Sequence, residues 1–213
     1  MNHILRYIFF VFIVRPLILL IMGVNAWNRE KLISSQPAII VANHNSHLDT
    51  MVLVSLFPLR LLKKIRPVAA MDYFMKTGFR SWFSQKIIGI IPVPREISMH
   101  QQDPLSSCSQ ALERNEVLIF FPEGSRGEPE QMASFKTGIA HLAKRHPDIP
   151  IIPVFMYGLG KSLPRGDHLL VPFFCDVAVG DHLFWSGSRP EFMLALENSM
   201  KKLAAEVNGR SFE

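Results

Sequence analysis

Short, mainly apolar runs cut off by polar or turn-forming residues constrain this chain most. They fall at Pro37–Ala42, Pro67–Ala70, Ile87–Val93, Val117–Phe121, Ile149–Phe155 and Val177–Phe184. Four to eight residues suit a strand and are too few for a core helix. The stretches between them are amphipathic. The helix expected over Pro104–Arg114 has Asp103 as N-cap, Pro104 in the first turn, and Asn115 where a left-handed C-terminal residue belongs. Leu105, Cys108 and Leu112 give it one apolar stripe. A second helix is expected over Ala133–Arg145. A third, over Pro190–Val207, repeats Phe192, Leu196, Met200, Leu203 and Val207 on one face, the pattern of core packing. Strands alternating with such helices predict an α/β domain: a mixed, mostly parallel β-sheet flanked by helices. With 213 residues and no internal repeat or long linker, one domain is expected.

The N-terminus departs from this pattern. Mean hydropathy is +0.18, high for a soluble enzyme, and 18 of the first 24 residues are apolar. From Tyr7 to Val24 only Arg15, Pro16 and Gly23 interrupt the run. Eighteen residues approach the ~20 that span a bilayer. Arg15 falls mid-run, where a charge costs ~2.5–3.5 kcal/mol, and Pro16 beside it breaks a helix. Two halves, Tyr7–Val14 and Leu17–Val24, therefore predict a shallow membrane anchor with Arg15 reaching the headgroups. Residues 1–26 are read as that anchor and 27–213 as the globular body. A signal peptide cleaved near Val24-Asn25-Ala26 and a buried core helix are the alternatives.

Formal net charge is +5, and basic residues crowd Arg60–Lys86: Arg60, Lys63, Lys64, Arg66, Lys76, Arg80 and Lys86 stand against Asp72 alone. Phe74, Phe79, Trp82 and Phe83 interleave with them. No nucleic-acid motif accompanies the stretch, so it reads as a dock for an anionic membrane or another anionic partner, with a plain solvated face as the bland alternative. Cys108 and Cys175 form no disulfide framework and no metal knuckle. Buried free thiols agree with a body facing the cytosol.

Chemistry-bearing residues cluster in two places. Val41-Ala-Asn-His-Asn-Ser-His-Leu-Asp49 follows an apolar strand, so its polar residues lie at a strand's C-terminal end, where open α/β sheets place ligands. Ser46 and Asp49 have capping-box spacing, which would start a helix at Ser46. Inside one continuous helix His44 and Asp49 would point about 140° apart. With His44 in the loop, the imidazole can instead fold onto the Asp49 carboxylate, which fixes its tautomer and leaves the other nitrogen to take a proton. A capped helix with two surface histidines remains the structural alternative. A metal set of His44, His47 and Asp49 has no supporting cluster elsewhere, and no G-x-S-x-G suggests a serine hydrolase. The second cluster is Val117-Leu-Ile-Phe-Phe-Pro-Glu-Gly-Ser-Arg-Gly127. Gly124 permits close backbone approach to a ligand, and Arg126 offers a fork that suits phosphate. Gly89-Ile-Ile-Pro-Val-Pro-Arg95 and Ile151-Ile-Pro-Val154 say little alone.

Together these four segments resemble the glycerolipid acyltransferase family, best known for 1-acyl-sn-glycerol-3-phosphate acyltransferases. His44-x4-Asp49 is similar to its H-x4-D block, Gly89…Arg95 to its G-x-I-F-I-x-R block, Phe121-Pro-Glu-Gly-Ser-Arg126 to its F-P-E-G-T-R block, and Ile151–Val154 to its V-P-V-type strand. Order and spacing match over roughly residues 36–185. Pro92 replaces the aromatic of the second block; Ser125 keeps the hydroxyl of the usual Thr, and Gly127 stands for the usual Ser. The resemblance implies transfer of a fatty acyl group from acyl-CoA or acyl carrier protein to the sn-2 hydroxyl of lysophosphatidate, giving phosphatidate, with no cofactor or metal. Glycerol 3-phosphate or another lysophospholipid is an alternative acceptor, and a non-catalytic lipid-binding protein an alternative class. His44, oriented by Asp49, would be the general base. Arg95 and Arg126 would hold the acceptor phosphate, Glu123 and Gly124 would shape the pocket, Ser125 would bind substrate beside them, and Lys136 would be a further phosphate ligand. The expected setting is a membrane surface, with the catalytic body on the cytoplasmic side.

Overall fold

Ile39, Ile40 and Val41 are consecutive and have no exposed surface, which places their strand inside a sheet covered on both faces. The computed structural model describes residues 2–18, 23–46, 48–74, 78–94, 103–127, 132–162 and 174–210. In chain order its elements are α1 (His3–Phe9), β1 (Val24–Trp27), β2 (Ala38–Ala42), α2 (Asp49–Leu56), β3 (Ile65–Ala70), the short α3 (Met71–Phe74) and α4 (Gly78–Phe83), and β4 (Ile91–Val93). There follow α5 (Ser106–Glu113), β5 (Val117–Phe120), α6 (Gly138–Arg145), β6 (Ile151–Tyr157), the single turn α7 (Leu159–Ser162), β7 (Cys175–Val179) and α8 (Arg189–Arg210).

The strands form one sheet in the order β1-β7-β6-β2-β5-β3-β4. All pairs are parallel except β6–β7, so β7 and β1 run against the other five strands. Side chains alternate across the pleat. Ala38, Ile40 and Ala42 pack with Val52, Leu53 and Leu56 of α2; Ile39 and Val41 pack with residues of α5, α6 and α8 on the opposite face. The expected α/β architecture is therefore present, as a sheet between two helical layers. From β2 the chain moves past β5 to β3; from β5 it moves back past β2 to β6. The C-terminal ends of these two neighbours thus carry loops that leave in opposite directions, the arrangement that opens a ligand crevice.

The N-terminal segment differs from expectation. The helix of α1 continues through residue 18 by π-type turns, with no break at Pro16. A wider turn leaves fewer backbone groups waiting for the N–H that proline lacks. Phe10, Val14 and Ile18, spaced by four, are buried in the core beside α2. Arg15 does not reach outward to headgroups: its Nη2 donates to the carbonyls of Phe57 (2.6 Å) and Ser55 (3.4 Å). No helix among the described residues is long and apolar enough to cross a membrane. The anchoring helix expected from hydropathy is thus not supported, because one face of that apolar run is core. Residue 26, the expected end of the anchor, falls inside β1.

Other boundaries move for local reasons. Strand structure expected from Ile87 begins only at Ile91, because residues 84–88 form a π-type turn closed by Gly89 at φ +82°. The strand expected over Val177–Phe184 shifts to β7, and Leu183 beyond it makes an isolated bridge to Ile151. The helix expected from Ala133 starts at Gly138. The helix expected from Pro104 starts at Ser106 with Leu105 as its N-cap; Asp103 closes the turn before it, its carboxylate accepting from Leu105 N–H, and Asn115 takes the left-handed conformation. Within the basic stretch, Arg66 turns inward to Glu116, while Phe79 and Trp82 are exposed. Lys76 lies outside the described residues.

Candidate active site

Polar residues from Asn43 to Ser46, beyond the end of β2, begin the site. Asn43 is buried and exchanges two hydrogen bonds with the backbone of Met156 on β6, donating to its carbonyl and accepting from its N–H, each at 2.8 Å. This clamp completes the β2–β6 ladder with a side chain and fixes where the loop departs. His44 follows in that loop. Its Nδ1 lies 2.8 Å from Asp49 Oδ2. A carboxylate only accepts, so Nδ1 carries the proton and Nε2 is left as the acceptor nitrogen.

Asp49 begins α2 and is 1% exposed. Its Oδ2 also accepts from the N–H groups of Asn45 (2.7 Å) and Ser46 (2.9 Å). Half of the expected capping box is therefore built, the acidic side chain reaching back to Ser46 N–H. The helix starts at Asp49 instead of Ser46 because its carboxylate gathers the preceding loop around itself. Three donors on one oxygen hold a negative charge next to the imidazole with little freedom to turn away. His44 remains 22% exposed. Its ring stacks on Phe121 with centroids 4.2 Å apart and planes at 22°, which sets the ring plane from the other side.

Beyond the end of β5, the turn Pro122–Gly127 wraps this loop. Gly127 N–H donates to His44 carbonyl at 2.9 Å, and Glu123 Oε1 accepts from His44 N–H at 3.0 Å. Oε2 of Glu123 accepts from Ala133 N–H at 3.3 Å. Both oxygens of this buried residue are thus committed to backbone, and burial pushes its carboxyl up to about 7 against the pull of those two N–H groups. Glu123, read from the sequence as a pocket-shaping residue, is a staple between the two loops. Gly124 has φ +73°, and a Cβ there would lie 2.9 Å from Lys136 Cε and Nζ. The absent side chain lets the lysine lie across the turn, whose position is fixed by Lys136 N–H donating to Pro122 carbonyl. Ser125 is exposed on the turn and Arg126 half-buried.

The fold therefore brings His44 and Asp49 into contact, ties Glu123 to the His44 backbone, and places Gly124 with Lys136 alongside. Arg95 and His47 lie outside the described residues. Among the described residues no three His, Cys, Asp or Glu side chains are placed to hold a metal. Asn43 and Phe121 are additions that sequence reasoning missed. Asn43 adjoins His44, but its partner is 113 positions away. Phe121 stood in the quoted motif without a role. Chemically, the arrangement can accept a proton at Nε2 and stabilise the resulting imidazolium.

A family model described as Acyltransferase matches residues 23–157. Among similar proteins, a chloroplastic 1-acyl-sn-glycerol-3-phosphate acyltransferase of Brassica napus is 27% identical over 82% of this chain and 48% of its own length. One from Arabidopsis thaliana is 30% identical over 67% of this chain and 38% of its own. The mouse alpha form is 28% identical over 78% and 57%. The chain thus spans about half the length of these relatives. A crystal structure of the 1-acyl-sn-glycerophosphate acyltransferase PlsC of Thermotoga maritima superposes with a TM-score of 0.72 at 20% identity, covering 88% of this chain and 73% of that one, a likeness of fold.

Proposed function

The chain belongs to the acyltransferase family, and from that premise we propose that it moves a fatty acyl group from a thioester to the sn-2 hydroxyl of 1-acyl-glycerol 3-phosphate, giving phosphatidate. The observation that carries this reading is the 2.8 Å His44–Asp49 contact beyond the C-terminal end of β2, with Nε2 left to accept a proton. The acceptor O–H passes its proton to Nε2 while its oxygen attacks the thioester carbonyl carbon. The tetrahedral intermediate collapses with cleavage of the C–S bond, and the imidazolium returns the proton to the departing sulfur. Asp49 stabilises the charged imidazolium between these steps. General-base assistance of this kind is worth roughly 10²–10⁴-fold. No acyl-enzyme forms; Cys108 and Cys175 are buried away from this chemistry, and burial pushes the Cys108 thiol up to about 12. No metal or cofactor takes part, and the donor is acyl-CoA or acyl carrier protein.

Arg126, Ser125 and Lys136 receive the acceptor phosphate beside Gly124, with Arg95 as a fourth ligand on the strength of the family resemblance. The enzyme works at a membrane surface, its body on the cytoplasmic side. Support comes from the exposed Phe79 and Trp82 of α4, whose rings stack on each other. Such a face contacts the interface without crossing it. The test is a panel of acceptors, with thiol release as readout. Lysophosphatidate should be acylated faster than its uncharged glyceride analogue, and Arg126→Ala should remove that preference. Equal use of both acceptors by the unaltered protein would refute the assignment of substrate.

A further inference from the structure

Where β3 and β4 meet α5, a cavity of about 260 Å³ is lined by Arg66, Gln85, Lys86, Ser107, Gln110 and Arg114 over a floor that includes Ile91 and Pro92. It is not the catalytic crevice. Arg66 is level across the sheet with Leu118 and Ile39. His44 lies five residues beyond Ile39, roughly 15 Å along the strand direction, and β3 is two strands from β2, roughly 10 Å across.

The lining is selected for charge. Ser107, Gln110 and Arg114 recur at spacings of three and four, which puts them on one side of α5. Gln85 and Lys86 come from the π-type turn opposite, which Asn2 N–H ties down through the Lys86 carbonyl at 3.1 Å. No carboxylate among the described residues lines the cavity. Glu116, just outside, reaches Arg66 Nε at 3.6 Å and Arg114 Nη2 at 3.4 Å. One carboxylate thus serves two guanidinium groups, and Lys86 adds a third positive charge. Arg6 packs behind them, buried, with Nη2 donating to Ile65 carbonyl at 2.9 Å. Burial first and the nearby Arg66 second lower its guanidinium to about 9, against the pull of Glu116. A partly enclosed excess of cations is costly unless an anion completes it. Guanidinium forks, an ammonium, a hydroxyl and two amides together match a phosphate oxygen shell. The volume is below the ~300–1,000 Å³ of sites that enclose a drug-sized ligand, which suits a phosphate bearing a small polar group.

We infer that this cavity is a second, non-catalytic binding site for a phosphate monoester, taken from a soluble phosphate compound or from a lipid headgroup. The inference does not depend on the catalytic reading. It can be tested by equilibrium dialysis of the full chain against radiolabelled glycerol 3-phosphate, with Arg126→Ala included to weaken the contribution of the catalytic turn. In that background, Lys86→Ala with Arg114→Ala should weaken the remaining binding at least tenfold. Lys86 and Arg114 are exposed enough that their loss leaves the core intact. Glu116→Gln, which removes the negative charge that both arginines share, should tighten binding several-fold, a gain that misfolding cannot produce. Cosedimentation with phosphatidylcholine vesicles containing phosphatidate identifies the source: a loss in the double variant assigns the site to the headgroup, and unchanged sedimentation with lost glycerol 3-phosphate binding assigns it to the soluble compound. Unchanged binding of both in the Lys86, Arg114 and Glu116 variants would overturn the inference.

Discussion

Replacing Asp49 by Asn separates charge from geometry at the centre of the site. All three donors on this residue converge on Oδ2: His44 Nδ1, Asn45 N–H and Ser46 N–H. The other oxygen, Oδ1, is buried and has no hydrogen-bond partner among the described residues. An asparagine can therefore place its oxygen where Oδ2 stands and keep all three hydrogen bonds, leaving its amide nitrogen where Oδ1 was. The structural cost is one buried unsatisfied NH₂, about 1–3 kcal/mol. The chemical cost is different. A unit charge about 4 Å from the imidazolium is worth ~4 kcal/mol at an effective dielectric of ~20, and the partial exposure of His44 trims that to about 2–4 kcal/mol. At 1.36 kcal/mol per decade, kcat should fall roughly 30- to 1,000-fold. KM for lysophosphatidate should change little, since Asp49 is shielded from substrate by the imidazole. The assay is thiol release from an acyl thioester at saturating acceptor, run beside a thermal melt. Asp49→Ala abandons all three hydrogen bonds and should lose considerably more stability than Asp49→Asn. Wild-type kcat in a folded Asp49→Asn protein would refute the claim that the carboxylate stabilises a charged imidazole.

Asn43→Ala leaves the N–H and carbonyl of Met156 without their partner and should cost about 2–4 kcal/mol in urea unfolding; a loss under 1 kcal/mol would show that water replaces the clamp. Glu123 has its folded pKa raised from 4.5 to about 7, so its contribution to stability is present in full below pH 4.5 and lost as pH rises through 7. Unfolding free energy of the wild type should therefore fall relative to Glu123→Gln between pH 4.5 and 7, by about 3 kcal/mol at most; parallel profiles would contradict the burial argument. Gly124→Ala forces a side chain into a left-handed backbone position, about 1–2 kcal/mol, and pushes Lys136 off the turn. Its KM for lysophosphatidate should rise more than kcat falls, and Lys136→Ala added on top should change little; additive losses would separate the two residues.

Part of this site was legible because its determinants are local. His44 and Asp49 are five positions apart, and an apolar strand ahead of them fixes where the loop begins. Spacing alone predicted that the imidazole must leave the helix to reach the carboxylate. Glu123 was legible as a motif residue and opaque in its role, since the N–H it accepts from is 79 residues earlier in the chain. β1 was missed for a similar reason. Its four residues pair with β7, about 150 positions away, and carry no apolar run of their own. The N-terminal segment shows a different limit. Hydropathy measures how greasy a residue is and not what covers it. The spacing by four of Phe10, Val14 and Ile18 was a readable sign of a face turned to protein, while Ile4, Ile8 and Phe12 form the face left exposed. Arg15, taken from sequence as an outward charge, found two carbonyls at the end of α2 instead.

The central claim is that His44 takes the proton from the acceptor hydroxyl. Thiol release from an acyl thioester in the presence of lysophosphatidate, measured for wild type and for His44→Ala with matched melting curves, tests it most directly. Acceptor-dependent release by the wild type and a loss of at least ~10²-fold in the variant are expected. Full activity in a folded His44→Ala protein would contradict it.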